Sequence, residues 1–267
     1  MAITTVDGAI AGMQPPVEFA KNVTGTLVAG RPHSLFYLAG IPGAATAPSP
    51  GVGGAALTTY AGQLPWANPS SGNSYLARLQ AQATIGGSLL LCDRLWHNSG
   101  LSVTSNTSQN VNSVAWPARD RNGSTNGDGV FVGLEVSSGL GAGTPTLTLG
   151  YTNSAGVDTR SGTNIQATVA SSIAGTFYQF GLAAGDVGVR SIQTYTQSAT
   201  MTTGAHHLVA YRILARLELT SANVPNALDL LTGGFPRLFD NTVPFLLFIP
   251  STTTTSNITG HAIWSQG

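Results

Sequence analysis

Between Gly129 and Leu182 apolar and polar residues alternate almost step by step. Val130, Val132, Leu134 and Val136 are interleaved with Phe131, Gly133 and Glu135. Leu147, Leu149 and Tyr151 are interleaved with Thr146, Thr148 and Thr152, and Ile165, Ala167 and Val169 with Asn164, Gln166 and Thr168. A period of two puts each apolar set on one face of an extended strand. The interruptions, SSGLGAGTP and TNSAG, are rich in residues that reverse a chain. The stretch therefore reads as an antiparallel β-meander with one buried face.

The same signal recurs along the chain. Tyr75 to Ile85 alternates cleanly, so a strand is preferred there over the helix its Leu, Ala, Arg and Gln content would permit. Ser88 to Trp96 holds Leu89-Leu90-Leu91-Cys92 and reads as a central strand buried on both faces. Strands are also expected at Val17 to Ala29, broken near Asn22, at Ser34 to Ala39, and within Leu101 to Ala115. Further strands follow at Val187 to Thr196, Ala205 to Leu219, Pro244 to Ile249 and Ile258 to Trp264, with a short helical turn around Ala227 to Leu231. Roughly a dozen strands at this spacing give an all-β fold, an antiparallel β-sandwich of jelly-roll-like type.

Two segments do not fit a sandwich. Residues 1–16 are small and apolar, end in Pro15-Pro16, and read as an extended N-terminal arm. From Gly40 to Asn73 the Gly and Pro density prevents long regular elements, and the loop is long for a compact domain. The division expected is an arm-and-loop region over 1–73, with one or two strands, and a β-sandwich over 74–267. The arm and loop are expected to be ordered only against neighbouring subunits, with Trp66 as an apolar anchor.

Charge is scarce. Only 8% of the 267 residues are charged and the formal net charge is zero, against roughly 25% charged residues in an average soluble domain. Lys21 is the only lysine. Such a surface can lie against another protein without desolvating many ions. The scattered arginines form no basic stripe, which argues against nucleic acid. No basic leader with an apolar run opens the sequence, and no segment approaches the ~20 apolar residues of a membrane helix. Cys92 stands alone in SLLLCDRL and reads as a small core hydrophobe. Folding in the bacterial host cytoplasm follows from these absences.

The candidate chemistry is thin. Asp120, Asn122, Ser124, Asn126 and Asp128 alternate like calcium ligands, but Phe131 stands where a bidentate Glu belongs, so a solvated loop is the better reading. His206 and His207 point to opposite faces of a strand and cannot share a metal; His33, His97 and His261 are dispersed. The glycines at 51, 53 and 54 and at 139, 141 and 143 do not separate a strand from a helix. Glu135 could be a general acid in a groove, paired with Glu18, Glu218 or an aspartate; a solvent-face or interface charge is the simpler reading. The Asn-x-Ser/Thr triplets at Asn22, Asn106, Asn122 and Asn257 mean little without secretion. No catalytic, cofactor-binding or metal residue is assigned.

From Ser88 the sequence is similar to a family of tailed-bacteriophage virion structural proteins. LLLCDRLWHNSGL followed by GDGVFVGLEVSSGLGAGTPTLTLGYTNSAGVDTR carries the resemblance, which covers about residues 88–200. The resemblance implies a role in the particle and no active site. The expectation is a noncatalytic decoration or cement protein located in the virion, binding the major capsid protein and itself, most simply as a trimer, with no nucleic acid, membrane or cofactor. The alternative is a tail, neck or fibre component that binds host glycans.

Overall fold

The computed structural model describes residues 3–267. The fold is all-β, and every strand pairing is antiparallel. A seven-stranded sheet lies at the centre. Its order is Phe177–Gln179, Val130–Ser138, Ala205–Leu219, Gly87–His97, Pro244–Pro250 and His33–Ser34, with Ala55–Ala56 also pairing to the His97 end of Gly87–His97. A six-stranded sheet is built on Ser74–Ala83, Ser256–Gln266 and Val17–Val23. A four-stranded sheet is built on Leu147–Asn153 and Val189–Gln197.

The two smaller sheets cover opposite ends of one face of the central sheet. Leu89, Leu91, Leu217 and Phe248 pack with Leu79 and Ile258 of the six-stranded sheet. Val132, Leu134 and Leu208 pack with Leu149, Ile192 and Tyr195 of the four-stranded sheet. The other face presents Leu90, Cys92, Val209, Tyr211, Phe245 and Leu247, and here the cover is a loop: Phe36, Tyr37, Ala45 and Tyr60 lie on it. Gly87–His97 is buried along nearly its whole length, as its doubly apolar run predicts. Cys92 is buried and unpaired, as expected.

Several expectations require correction. Val130–Ser138 and Leu147–Asn153 are not neighbours in a meander; they belong to different sheets and face one another across a core. The alternation placed their apolar faces correctly, but period two is silent on which strand pairs with which. Ile165 to Val169 is irregular and Ile165 is exposed; Leu147–Asn153 pairs with Arg160–Thr163 on one side and Val189–Gln197 on the other. The expected helical turn at 227–231 is instead the edge strand Asn226–Asp229, which pairs with Ser74–Ala83. The one α-helix among the described residues, Val6–Ala11, lies in the segment read as an arm and is capped by Thr5.

Residues 3–73 already have partners within the chain. Met13 bridges Ser265, and the Gln14 N–H donates to the Trp264 carbonyl. The Leu57 N–H donates to Leu95 and that of Leu64 to Pro244. Leu64 is buried in the same core as the six-stranded sheet, and Trp66 packs edge-on against Trp264. Apart from the two-residue strands Gly40–Ile41 and Ala55–Ala56, the Gly/Pro-rich loop is irregular, and it fills the space over a sheet face that would otherwise be wet. The Ala2 part of the arm lies outside the described residues.

Candidate functional site

The loop-covered face of the central sheet holds a buried polar cluster. Three strands supply it: Arg94 from Gly87–His97, Glu135 from Val130–Ser138 and His207 from Ala205–Leu219. The registers Tyr211 opposite Arg94 and His207 opposite Glu135 bring the three together. Arg94 Nη2 lies 2.7 Å from Glu135 Oε2, and both side chains are fully buried. His207 Nε2 lies 2.8 Å from the same oxygen and 2.9 Å from the Tyr37 hydroxyl. Arg94 Nε donates to His97 Nδ1 at 3.2 Å. The guanidinium sits over the Phe36 ring, 4.6 Å from its centroid, and Phe245 lies beyond.

The protonation pattern follows from this geometry. Burial pushes the Glu135 carboxyl up, but the Arg94 guanidinium and His207 outweigh it and hold Glu135 well below the usual carboxylate range. Burial lowers His207 despite its hydrogen bond to Glu135. His97 is pushed down to about 2 by burial and the nearby Arg94. Burial, reinforced by Glu135, raises Tyr37 well above the ordinary phenol range. The result is an ionised Arg94–Glu135 pair among neutral imidazoles and a protonated phenol. A neutral imidazole carries one proton; placed on Nε2, it meets the Glu135 oxygen that needs it.

A second buried pair stands on the other side of the same strand. Arg119 Nε and Nη2 donate to Asp93 Oδ2 and Oδ1 at 2.9 and 3.1 Å. Arg119 Nη1 donates to the Leu57 carbonyl at 2.7 Å, and the Val243 N–H donates to Asp93 Oδ1 at 2.9 Å. Both pairs tie the central strand to covering segments; Tyr37 and Leu57 belong to those segments. Both act as fasteners, but only the Arg119–Asp93 pair is fully satisfied; Arg94 Nη1 and Glu135 Oε1 are buried without a partner.

Glu135 is therefore not a solvent-face charge, and the reading of its strand as polar on one side is corrected. The loop over that face turned a polar position into a buried one. Glu18 and Glu218 are exposed and remote; Glu218 is occupied with Arg216 and Ser88. Asp120 is buried at the base of its loop. Its oxygens accept the N–H groups of Asn122 and Ser124 and the Ser124 hydroxyl at 2.7–2.9 Å, and those of Gly127 and Asp128 at 3.1 Å. Burial raises this carboxyl, and those bonds overcome it and lower it. Asp120 thus organises its own loop through backbone donors. Among the described residues no group of three or more His, Cys, Asp or Glu is arranged to hold a metal ion.

The histidines divide. His207 and His97 meet around Arg94, which sequence separation concealed. His206 points the other way, as its alternation requires, and packs on Tyr195 with both ring nitrogens unpartnered. His33 is buried beside Gly175; His261 is partly exposed. The four Asn-x-Ser/Thr asparagines are all exposed. Arg94 was the residue missed. Its signal was a charged Asp-Arg pair inside an apolar run, since charges placed in a doubly buried strand must find partners.

No known family model matches the chain, and no curated protein matches it. Among solved structures the chain is weakly similar to a VP2 subviral particle of infectious bursal disease virus, with a TM-score of 0.25 and 6% identity over 95% of this chain and 80% of that one. T=1 particles derived from the same virus give a TM-score of 0.17 and 8% identity over 95% and 77%. Likenesses at this level carry no argument.

Proposed function

We propose that the chain is a noncatalytic structural component of a tailed-bacteriophage particle that decorates and stabilises the capsid shell through subunit–subunit contacts. The observation that carries the reading is where the charges are. Of eleven acidic and eleven basic residues, eight are buried: Lys21, Arg31, Asp93, Arg94, Arg119, Asp120, Glu135 and Arg212. The surface is left with few ions, and docking a charge-poor surface avoids the main desolvation cost of association. Glu135, the acid with the best sequence claim to catalysis, is sealed in an ion pair. The resemblance over residues 88–200 supplies the phage context.

Two apolar features that would favour self-association are covered largely within the chain. Ala205–Leu219 is covered on both faces from His206 to Arg212, beyond which Ile213, Arg216 and Glu218 are exposed, and Trp264 is packed on Trp66. What supports self-association now is the sparse charge together with exposed Val6, Ile10 and Leu231. The test of the function is the number of copies per purified particle, with antibody labelling in electron micrographs. Copy numbers near that of the major capsid protein, with label over the head, are expected. Label confined to tail, neck or fibre, at low copy number, overturns the decoration role.

A further inference from the structure

The loop that Asp120 organises carries the only two Asn-Gly pairs of the sequence, Asn122-Gly123 and Asn126-Gly127. Glycine leaves the nitrogen that follows an asparagine uncrowded, so that nitrogen can reach the side-chain amide carbon. The two pairs are alike in sequence, and both asparagines are exposed. The fold treats them differently. The Gly127 N–H donates at 3.1 Å to Oδ2 of Asp120, a carboxylate with no exposed surface. Gly127 is itself buried, and a Cβ there would strike the Val189 carbonyl. The N–H groups that follow are held as well: Asp128 by Asp120, Gly129 by Val187 and Val130 by Gly127. Gly123 is half-buried, and its N–H donates at 3.1 Å to the neutral main-chain carbonyl of Asp120.

A hydrogen bond to an ionised acceptor is roughly twice as strong as one between neutral groups. The Gly123 nitrogen is therefore the easier of the two to free. We propose that Asn122 is a deamidation site, where the chain modifies itself with water as the only co-reactant. The Gly123 nitrogen bonds to Asn122 Cγ and loses its proton; the Cγ–Nδ2 bond breaks, and ammonia leaves with that proton. Water then opens the succinimide at either carbonyl and leaves aspartate or isoaspartate at 122. Nothing is oxidised or reduced. The product changes the loop. Asn122 Nδ2 donates to Asp128 Oδ2 at 2.8 Å, and Asp128 also pairs with Arg121. A carboxylate at 122 turns that bond into a repulsion and adds a negative charge to a chain of zero formal net charge. In the isoaspartate form the main chain gains a methylene, which displaces the Ser124 N–H from Asp120 Oδ1. The inference is independent of the particle role proposed above.

The intact protein is incubated at mildly alkaline pH beside the same protein held unfolded in urea. Conversion at 122 and at 126 is followed by fragment-resolved mass spectrometry. Each asparagine is thus compared with its own unfolded rate, and no variant is needed. Folding should slow Asn126 about tenfold more than Asn122, the difference between freeing a charge-assisted hydrogen bond and a neutral one. Folding that slows the two equally, or slows Asn122 more, overturns the proposal. So does an Asn122 that stays intact in the folded protein after the unfolded chain has fully converted. Native and deamidated forms are then separated by ion exchange, and their amide hydrogen exchange over residues 120–128 is compared. Faster exchange in the deamidated form is expected; unchanged exchange overturns the effect on the loop.

Discussion

Arg94 and Glu135 meet at 2.7 Å from the strands on either side of Ala205–Leu219, both with no exposed side-chain surface. Such a pair contributes little net stability compared with an apolar pair, because both ions lose their water, but breaking it leaves one charge stranded. That asymmetry governs the first expected outcome.

Glu135→Gln should destabilise the fold by about 3–5 kcal/mol, since Arg94 stays charged and buried. The double variant Arg94→Met with Glu135→Leu should recover most of the loss. Urea unfolding of the three proteins checks this. A Glu135→Gln variant as stable as wild type would show that the pair is not the fastener described.

Acid should weaken the protein before its carboxylates titrate. Burial holds His33 at about 4 and His206 at about 3, against 6.5 in the unfolded chain. Between those values the unfolded chain binds more protons, so stability falls as pH drops from about 6.5 to about 4. The loss is on the order of 3 kcal/mol for each fully titrated histidine. The depressed carboxyl of Glu135 contributes stability that disappears only at lower pH, below its ordinary 4.5. Denaturation midpoints across this range supply the measurement, and His206→Phe should flatten part of the slope.

Lys21 anchors the start of the covering loop. Its ammonium donates to the carbonyls of Leu38 at 2.8 Å and of Pro42. Lys21→Met should cost about 1–3 kcal/mol by leaving those carbonyls unpartnered. It should also speed proteolysis within 40–64 more than elsewhere. Uniform cleavage along the chain would mean that the anchor is not local. Burial lowers this amine to about 8, so its own contribution makes stability rise with pH between about 8 and 10.5.

Glycines that look alike in the sequence should differ in tolerance. Gly54 has φ +70°, and a Cβ there would enter the Trp96 ring. Gly30 has φ +72° with nothing nearby. Gly30→Ala should cost about 1 kcal/mol for the backbone alone. Gly54→Ala should add an overpacking cost of roughly 1–3 kcal/mol. Equal thermal shifts in the two variants would contradict the packing of the loop on Trp96.

Self-association should depend on the short helix. Val6 is 52% exposed and lines a shallow hollow with Leu230 and Phe235. Val6→Asp should weaken oligomerisation in sedimentation over a concentration series while leaving Tm nearly unchanged. A wild-type protein that stays monomeric throughout would remove the trimer proposal.

Alternation in the sequence determined a good deal of this protein by itself. Ser74–Ala83, Gly87–His97 and Ala205–Leu219 lie where periodicity and apolar content put them, because a pleated backbone sends successive side chains to opposite faces. The buried face of Val130–Ser138 was legible for the same reason. Pairing was not: backbone hydrogen bonds are blind to side-chain identity, so nothing local assigned Val130–Ser138 and Leu147–Asn153 to different sheets. Nor could alternation say that Gly133 and Glu135 face protein. Only the tertiary structure decided that, by laying Phe36, Tyr37 and Tyr60 over their face of the sheet. Arg94, Glu135 and His207 became neighbours through strand register, and once the loop excluded water their charges had only one another to answer.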